Sequence, residues 1–261
     1  MSLLEVSKLT RNFGGLTAVF EADLHLDEGE LIGLIGPNGA GKTTLFNLLT
    51  GVYPPSSGDI RLTIDGASKS IGGMAPNKIC AAGIGRTFQN IRLFKDRSVL
   101  DNVATALQQN LPYSLAAALF HVPPFGATER RIREESLELL GVMGLAEKAD
   151  ELARNLSYGE QRHLEIARAL ATKPRLLLLD EPAAGMNPAE TAGLTGLIAQ
   201  LRRDFGLTIL LIEHDMSLVM RICERIYVLD HGIMIAAGTP DEVRNNPKVI
   251  EAYLGEEAPH D

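Results

Sequence analysis

Gly36-Pro37-Asn38-Gly39-Ala40-Gly41-Lys42-Thr43 follows an unbroken apolar run, Leu31-Ile32-Gly33-Leu34-Ile35, and precedes a helical stretch from Thr43 to Leu49. The octet fits G-x-x-x-x-G-K-[ST], and its flanks are what a phosphate-binding loop requires: a buried strand before it and a helix after it. Glycines let the backbone wrap closely and aim N–H groups at phosphate, helped by the positive end of the following helix. Lys42 would reach the β- and γ-phosphates, and the Thr43 hydroxyl would ligate Mg²⁺. A Gly-rich turn carrying a solvated lysine would not need strand and helix on the correct sides. The stretch therefore predicts an α/β fold built on a P-loop core.

Working outward, the first third reads as short strands and turns. Leu3 to Val6 and Leu24 to Leu26 are apolar or alternating, Glu28-Gly29-Glu30 is a turn, and Asp59 to Ile64 is an alternating strand stopped by Asp65-Gly66. From about Ser98 to Arg168 strand signals vanish and helical spacing takes over, as in Val99-Leu100-Asn102-Val103-Leu107 and Ile132-Leu137-Leu140. This predicts a helical lobe, residues 98–168, inserted between core segments 1–97 and 169–261. Two strands return, Leu176 to Leu179 and Thr208 to Ile212, and a helix from about Ala189 to Phe205 joins them as a parallel crossover. Arg225 to Asp230 and Ile233 to Ala237, around His231-Gly232, read as a hairpin, and a last helix follows Pro240-Asp241-Glu242.

The strand Leu176 to Leu179 delivers Asp180-Glu181 to its carboxyl end. With a phosphate loop upstream, Asp180 would hold Mg²⁺ through water and Glu181 would polarise the attacking water. Taken alone the pair would be an exposed acidic strand end. The two motifs together make a nucleoside triphosphatase site.

Composition limits the rest. Asp plus Glu outnumber Lys plus Arg, 33 to 25, for a formal net charge of −8, and that sign argues against nucleic acid as a partner. Two cysteines, Cys80 and Cys223, are too few for a disulfide framework; both sit among apolar neighbours and read as buried thiols. The beginning Met1-Ser2-Leu3-Leu4-Glu5 lacks the basic head and apolar run of a signal peptide. The most apolar stretch, Leu111 to Phe125, is broken by Pro123-Pro124 and falls short of the roughly 18 to 20 residues a spanning helix needs. It reads as a helix-turn-helix corner or, given Phe120 and Phe125, as a contact to a membrane subunit.

Leu156-Ser157-Tyr158-Gly159-Glu160-Gln161 precedes a helix rich in alanine and arginine. By itself it is a serine N-cap. About twenty residues before Asp180, it resembles the signature segment of ABC ATPases, commonly Leu-Ser-Gly-Gly-Gln, with Tyr158 and Glu160 as departures. Other family elements appear in the family's order. Phe13 matches the aromatic that stacks on adenine. Gln89, in Arg86-Thr87-Phe88-Gln89, matches the hinge glutamine that contacts Mg²⁺. His214, in Ile212-Glu213-His214-Asp215, matches the histidine at the γ-phosphate. Glu181-Pro182-Ala183-Ala184-Gly185-Met186-Asn187-Pro188 and the tail Asn246 to Gly255 are similar to one ATPase subunit of branched-chain amino acid importers; Asn187 stands where the commoner family segment has aspartate.

The resemblance implies an ABC ATPase fold: a RecA-like core, an antiparallel β subdomain and an inserted α-helical subdomain. It implies ATP and Mg²⁺ as ligands, with Phe13, Gly36, Pro37, Asn38, Gly39, Ala40, Gly41, Lys42, Thr43 and Thr44 on the nucleotide and Thr43, Gln89 and Asp180 on the metal. Glu181, His214, Lys42 and Gln89 would be catalytic. Ser157, Tyr158, Gly159 and Glu160 would complete the site of a second ABC ATPase subunit, identical or related, in a head-to-tail dimer. Two transmembrane permease subunits and, indirectly, a periplasmic or extracellular binding protein would be partners, with the chain held at the cytoplasmic face of the inner membrane. The same resemblance admits other cargo (other small amino acids, amides such as urea), an exporter on the same scaffold, a soluble ABC ATPase outside transport, or a subunit that binds ATP without cleaving it.

Overall fold

The computed structural model describes residues 2–110 and 125–254. The stretch Leu111 to Phe125, read above as a corner or a membrane-subunit contact, lies outside the described residues but for the backbone of Phe125. The chain divides into two compact units, residues 1–86 with 175–261, and residues 87–174. The division falls outside the limits 98 and 168 suggested by loss of strand pattern. The backbone at Phe88 and Gln89 accepts hydrogen bonds from Arg162 at 2.8 and 3.1 Å, so the irregular segment after residue 86 is held within the second unit.

The first unit contains two sheets. Strands β1 (Ser2–Phe13), β2 (Leu16–Asp27), β4 (Ser57–Ile64) and β5 (Ala67–Ser70) form an antiparallel sheet in the order β2-β1-β4-β5. The first two strands are far longer than their alternation indicated. Lys8 and Glu21 take positive φ (46° and 41°), and the β1–β2 register shifts between Val6 and Leu9; such bulges break strict alternation without ending the pairing. The second sheet runs β10-β9-β3-β8-β7-β6. Its members are β3 (Leu31–Ile35), β6 (Ile84–Arg86), β7 (Leu176–Asp180), β8 (Thr208–Ile212), β9 (Arg225–Asp230) and β10 (Ile233–Gly238), all parallel except the β9–β10 hairpin.

Every residue of β3, β7 and β8 is buried, which is why their sequences are apolar throughout rather than alternating. Helix α1 (Lys42–Leu49) buries Leu45, Phe46, Leu48 and Leu49 in one core with both sheets. Helix α2 (Pro76–Ala81) follows β5.

The second unit is helical. Its elements are α3 (Val99–Leu107), α4 (Phe125–Val142) and α5 (Tyr158–Ala171). Ser98 caps α3 by accepting the Asp101 N–H at 2.9 Å. Buried Asn102 is satisfied by both polar groups: it accepts from the Phe94 N–H and donates to the Phe94 and Ser98 carbonyls. Back in the first unit, α6 (Pro188–Phe205) crosses between the adjacent parallel strands β7 and β8. Helices α7 (Met216–Ile222), α8 (Pro240–Arg244) and α9 (Pro247–Leu254) complete the chain.

Candidate functional site

Parallel pairing brings three strand ends together. Leu34 of β3 faces Ile212 of β8, and Asp180 of β7 faces Ile212 from the other side. The residues just past these strands, Gly36 onward, Glu181 onward and Glu213-His214, therefore leave from one edge, where open α/β sheets bind ligands.

The loop after β3 is shaped by two glycines. A Cβ on Gly36 would lie 1.9 Å from the Leu229 carbonyl oxygen, and one on Gly41 2.5 Å from that of Ala18; both have φ above +100°. The Ala40 N–H bonds to the Pro37 carbonyl at 3.2 Å, and the Gly232 N–H bonds to the Ala40 carbonyl at 2.8 Å, tying the loop to the β9–β10 turn. Lys42 folds back on the loop and donates through Nζ to the carbonyls of Gly36 (2.6 Å) and Pro37 (2.8 Å). The N-cap position of α1 is Gly41, which has no side chain to close the helix start; Asn38, Gly39 and Thr43 are exposed and Thr44 is half-buried. A helix N-terminus behind a glycine loop is suited to an anion.

Asp180, expected to face the metal, is 3% exposed in its side chain and pairs with Arg86 at 2.8 Å. Arg86, itself 7% exposed, also donates to Asn47 Oδ1 at 2.8 Å and Thr50 Oγ1 at 3.0 Å, both on α1 or its cap. One guanidinium thus joins β6, β7 and the helix that follows the phosphate loop. Arg86 stood in the sequence only as a neighbour of Gln89. Its signal was a cation ending an apolar three-residue strand too short to read as one.

Glu181 adopts φ +46°, a left-handed conformation unusual for glutamate, with its N–H on the Ile212 carbonyl at 2.9 Å. His214, largely exposed, places Nδ1 3.9 Å from a Glu181 carboxylate oxygen and 3.8 Å from one of Glu213. Glu213 was missed by the sequence reading. Burial pushes its carboxyl above the ordinary range, against the pull of the Ala183 N–H. Phe13 meets Tyr53 edge to face at 5.1 Å, with the Arg11 guanidinium 4.5 Å from its ring centre. Phe13 remains partly exposed and can still present ring surface.

The second unit holds the other residues singled out. Ser157 caps α5 in a capping box: the Glu160 N–H reaches its hydroxyl at 3.4 Å, and Glu160 Oε2 accepts the Ser157 N–H at 2.9 Å. Lys148 binds the other Glu160 oxygen at 2.6 Å, and that contact, with the Ser157 backbone, holds the carboxyl below its usual range. Tyr158 is exposed, and its hydroxyl accepts from Arg162 at 3.3 Å; Gly159 is half-buried beside it.

Gln89 is exposed, and its backbone is fixed from α5. Arg162, fully buried, reaches the Phe88 and Gln89 carbonyls and pairs with Glu165 at 2.8 Å. Glu165 in turn accepts the N–H groups of Phe88 (3.2 Å) and Arg92 (3.3 Å). Burial raises the Glu165 carboxyl more than Arg162 lowers it. The helix that starts at Ser157 and the segment that carries Gln89 therefore form one clamped piece, which helical spacing alone did not reveal. Cys80, expected to be buried, is half-buried in the short helix α2, while Cys223 is buried as expected.

A family model described as ABC transporter matches residues 19–184, and one described as branched-chain amino acid ATP-binding cassette transporter matches residues 234–259. The chain is 50% identical over 254 residues to the high-affinity branched-chain amino acid transport ATP-binding protein BraF of Pseudomonas aeruginosa, covering 97% of this chain and 98% of that one. It is 48% identical to LivG of Escherichia coli strain K12 with the same coverage. The crystal structure of the ADP conformation of MJ1267, an ATP-binding cassette of an ABC transporter, superposes with a TM-score of 0.83 at 30% identity, covering 98% of this chain and 99% of that one. The chain belongs to the ABC transporter family, as one of its ATP-binding proteins.

Proposed function

We infer that this chain hydrolyses ATP to power the import of branched-chain amino acids through a membrane-bound ABC transporter. The observation that carries the reading is near-full-length likeness, at about half identity, to proteins named for branched-chain amino acid transport. The match of residues 234–259 to the corresponding family model supports the same cargo. A likeness of 35% over 257 residues to the lipopolysaccharide export ATP-binding protein LptB marks the export alternative, which is the weaker of the two.

In this reading the Gly36 to Thr44 loop cradles the phosphates, with Lys42 leaving its loop carbonyls for the β- and γ-oxygens. Phe13 stacks on adenine. Glu181 polarises the attacking water, and His214 contacts the γ-phosphate and steadies the charge that develops there. Among the described residues no cluster of three or more His, Cys, Asp or Glu could hold a metal by itself. Mg²⁺ takes most of its ligands from phosphates and water and needs few protein oxygens. Thr43 and Asp180 would be among those oxygens, with Gln89 assigned to the ion by the family resemblance, and the ion would supply charge neutralisation at the phosphates.

Ser157, Tyr158, Gly159 and Glu160 have no task in their own subunit's site. They complete the site of a second ABC ATPase subunit, so that nucleotide closes the dimer and hydrolysis releases it. Among the described residues no helix is long and apolar enough to cross a membrane. The likeness to transport ATP-binding proteins supports two permease subunits that would hold the chain at the cytoplasmic face, with a binding protein delivering cargo from the other side. The test is reconstitution of the chain with its membrane partners and uptake assays with a panel of labelled solutes. ATP-dependent uptake of leucine, isoleucine or valine that is abolished by Lys42→Ala is expected. Uptake of none of the three, or uptake indifferent to Lys42→Ala, would overturn the reading.

A further inference from the structure

Glu213 has no part in the mechanism above, yet it touches two elements that do. It stands one residue past β8 with its side chain fully enclosed. One carboxylate oxygen accepts the Ala183 N–H at 2.8 Å. The other accepts the His214 N–H at 3.3 Å and lies 3.8 Å from Nδ1 of the same imidazole. Ala183 is two residues beyond Glu181, whose left-handed backbone persists only if its surroundings over-determine it.

Two clamps are present. The Glu181 N–H is bound to the Ile212 carbonyl at 2.9 Å, and the turn after it is bound to Glu213. From Glu181 onward the turn also closes on itself, Ala184 N–H to the Glu181 carbonyl at 3.2 Å and Met186 N–H to the Ala183 carbonyl at 3.1 Å. A buried carboxyl that accepts one backbone N–H from the neighbouring turn and another from His214 ties the two segments together by directional bonds that apolar packing lacks.

We propose that Glu213 is a positioning residue that holds the Glu181 turn in its working conformation and joins it to His214. The two groups then approach and leave the γ-phosphate together. The proposal rests on the roles given to Glu181 and His214 above. Misplacement of a catalytic group by about 1 Å costs on the order of 10²-fold in rate, whereas the Gly36 to Thr44 loop lies outside the hydrogen bonds that Glu213 accepts from Ala183 and His214.

The experiment compares Glu213→Ala, Glu213→Gln and Glu181→Gln in the reconstituted transporter, reading kcat and KM for ATP together with thermal stability. Glu213→Ala is expected to lower kcat by roughly 10- to 100-fold with KM within about threefold of normal. Glu213→Gln keeps an oxygen acceptor for the Ala183 N–H and should return kcat to within about fivefold. A folded Glu213→Ala protein with kcat within about twofold of normal overturns the proposal, as does a Gln variant no better than Ala. If the Ala variant does not fold, Glu213→Asp, one methylene shorter, carries the same prediction of lowered kcat at constant KM, and unchanged kcat overturns it. A Glu181→Gln protein that still turns over normally would remove the underlying role of Glu181. An inactive Glu181→Gln beside a normal Glu213→Ala would remove only the present inference.

Discussion

Glu165→Ala is the perturbation whose cost follows most directly from the structure. It leaves Arg162, a fully buried guanidinium, without its counter-ion, and it removes the acceptor for the Phe88 and Arg92 N–H groups. Stranding one member of a buried pair typically costs about 3–5 kcal/mol, and each orphaned buried N–H costs about 1–3 kcal/mol where water cannot replace the partner. These losses overlap, because the segment can relax once freed, so about 4 kcal/mol is expected, roughly a thousandfold in the folding equilibrium. Burial already raises the Glu165 carboxyl above its ordinary value even with Arg162 beside it. The loss therefore comes from what truncation strands rather than from any large net worth of the bridge.

The chain has no tryptophan, so urea unfolding is best followed by far-ultraviolet circular dichroism, which reports the helices of the second unit. With a urea slope of about 2 kcal/mol per molar, the midpoint should fall by about 2 M. Adding Arg162→Met to the Glu165→Ala protein removes the stranded charge. The second substitution should therefore cost at least about 1 kcal/mol less in that background than in the natural protein. A midpoint shift below about 0.5 M, or strict additivity of the two substitutions, would refute the reasoning.

Gly36→Ala places a methyl 1.9 Å from the Leu229 carbonyl oxygen, so the loop must move, and affinity for ATP should fall at least about tenfold by equilibrium binding; an unchanged Kd refutes it. Asn187 caps α6 by accepting the Ala189 and Glu190 N–H groups, both at 3.0 Å. Asn187→Ala should cost about 1 kcal/mol in unfolding free energy and Asn187→Asp less than about 0.5; equal losses would refute the cap. Burial pushes the Cys223 thiol up to about 12, while Cys80 is half-buried. Alkylation of the native protein near neutral pH should label Cys80 and leave Cys223 until urea is added, and equal labelling would contradict the burial.

How much of this was legible in the sequence depends on range. The loop from Gly36 to Thr43, the apolar runs of β3, β7 and β8, the crossover helix and the β9–β10 hairpin are each written in a local pattern. The long strands β1 and β2 were read as fragments because bulges at Lys8 and Glu21 put two residues where alternation allows one. The short elements β6, α2 and α7 carry three, six and seven residues, too few for either periodicity to show. The residues that brace the site were invisible for a different reason. Arg86 meets a carboxylate 94 residues later, and Glu165 meets a backbone 77 residues earlier, so only folding makes them partners. Glu213 was hidden in plain order, one residue before a histidine that drew the attention.

The departures from the commoner family pattern have local answers in the structure. Glu160 stands where the signature segment usually has glutamine; glutamate closes the capping box equally well, and Lys148 at 2.6 Å offsets the charge it adds near the helix start. Tyr158 replaces a glycine, but its ring lies exposed and its hydroxyl meets Arg162, so α5 keeps its first turn. Asn187 replaces aspartate, and a neutral amide oxygen still accepts two N–H groups of α6. In each case the side chain supports the local main chain, at the start of α5 and in the turn between Glu181 and α6. At these three positions Glu160, Asn187 and Tyr158 serve the path of the main chain, the first two by closing capping boxes and the third by leaving its ring outside the helix.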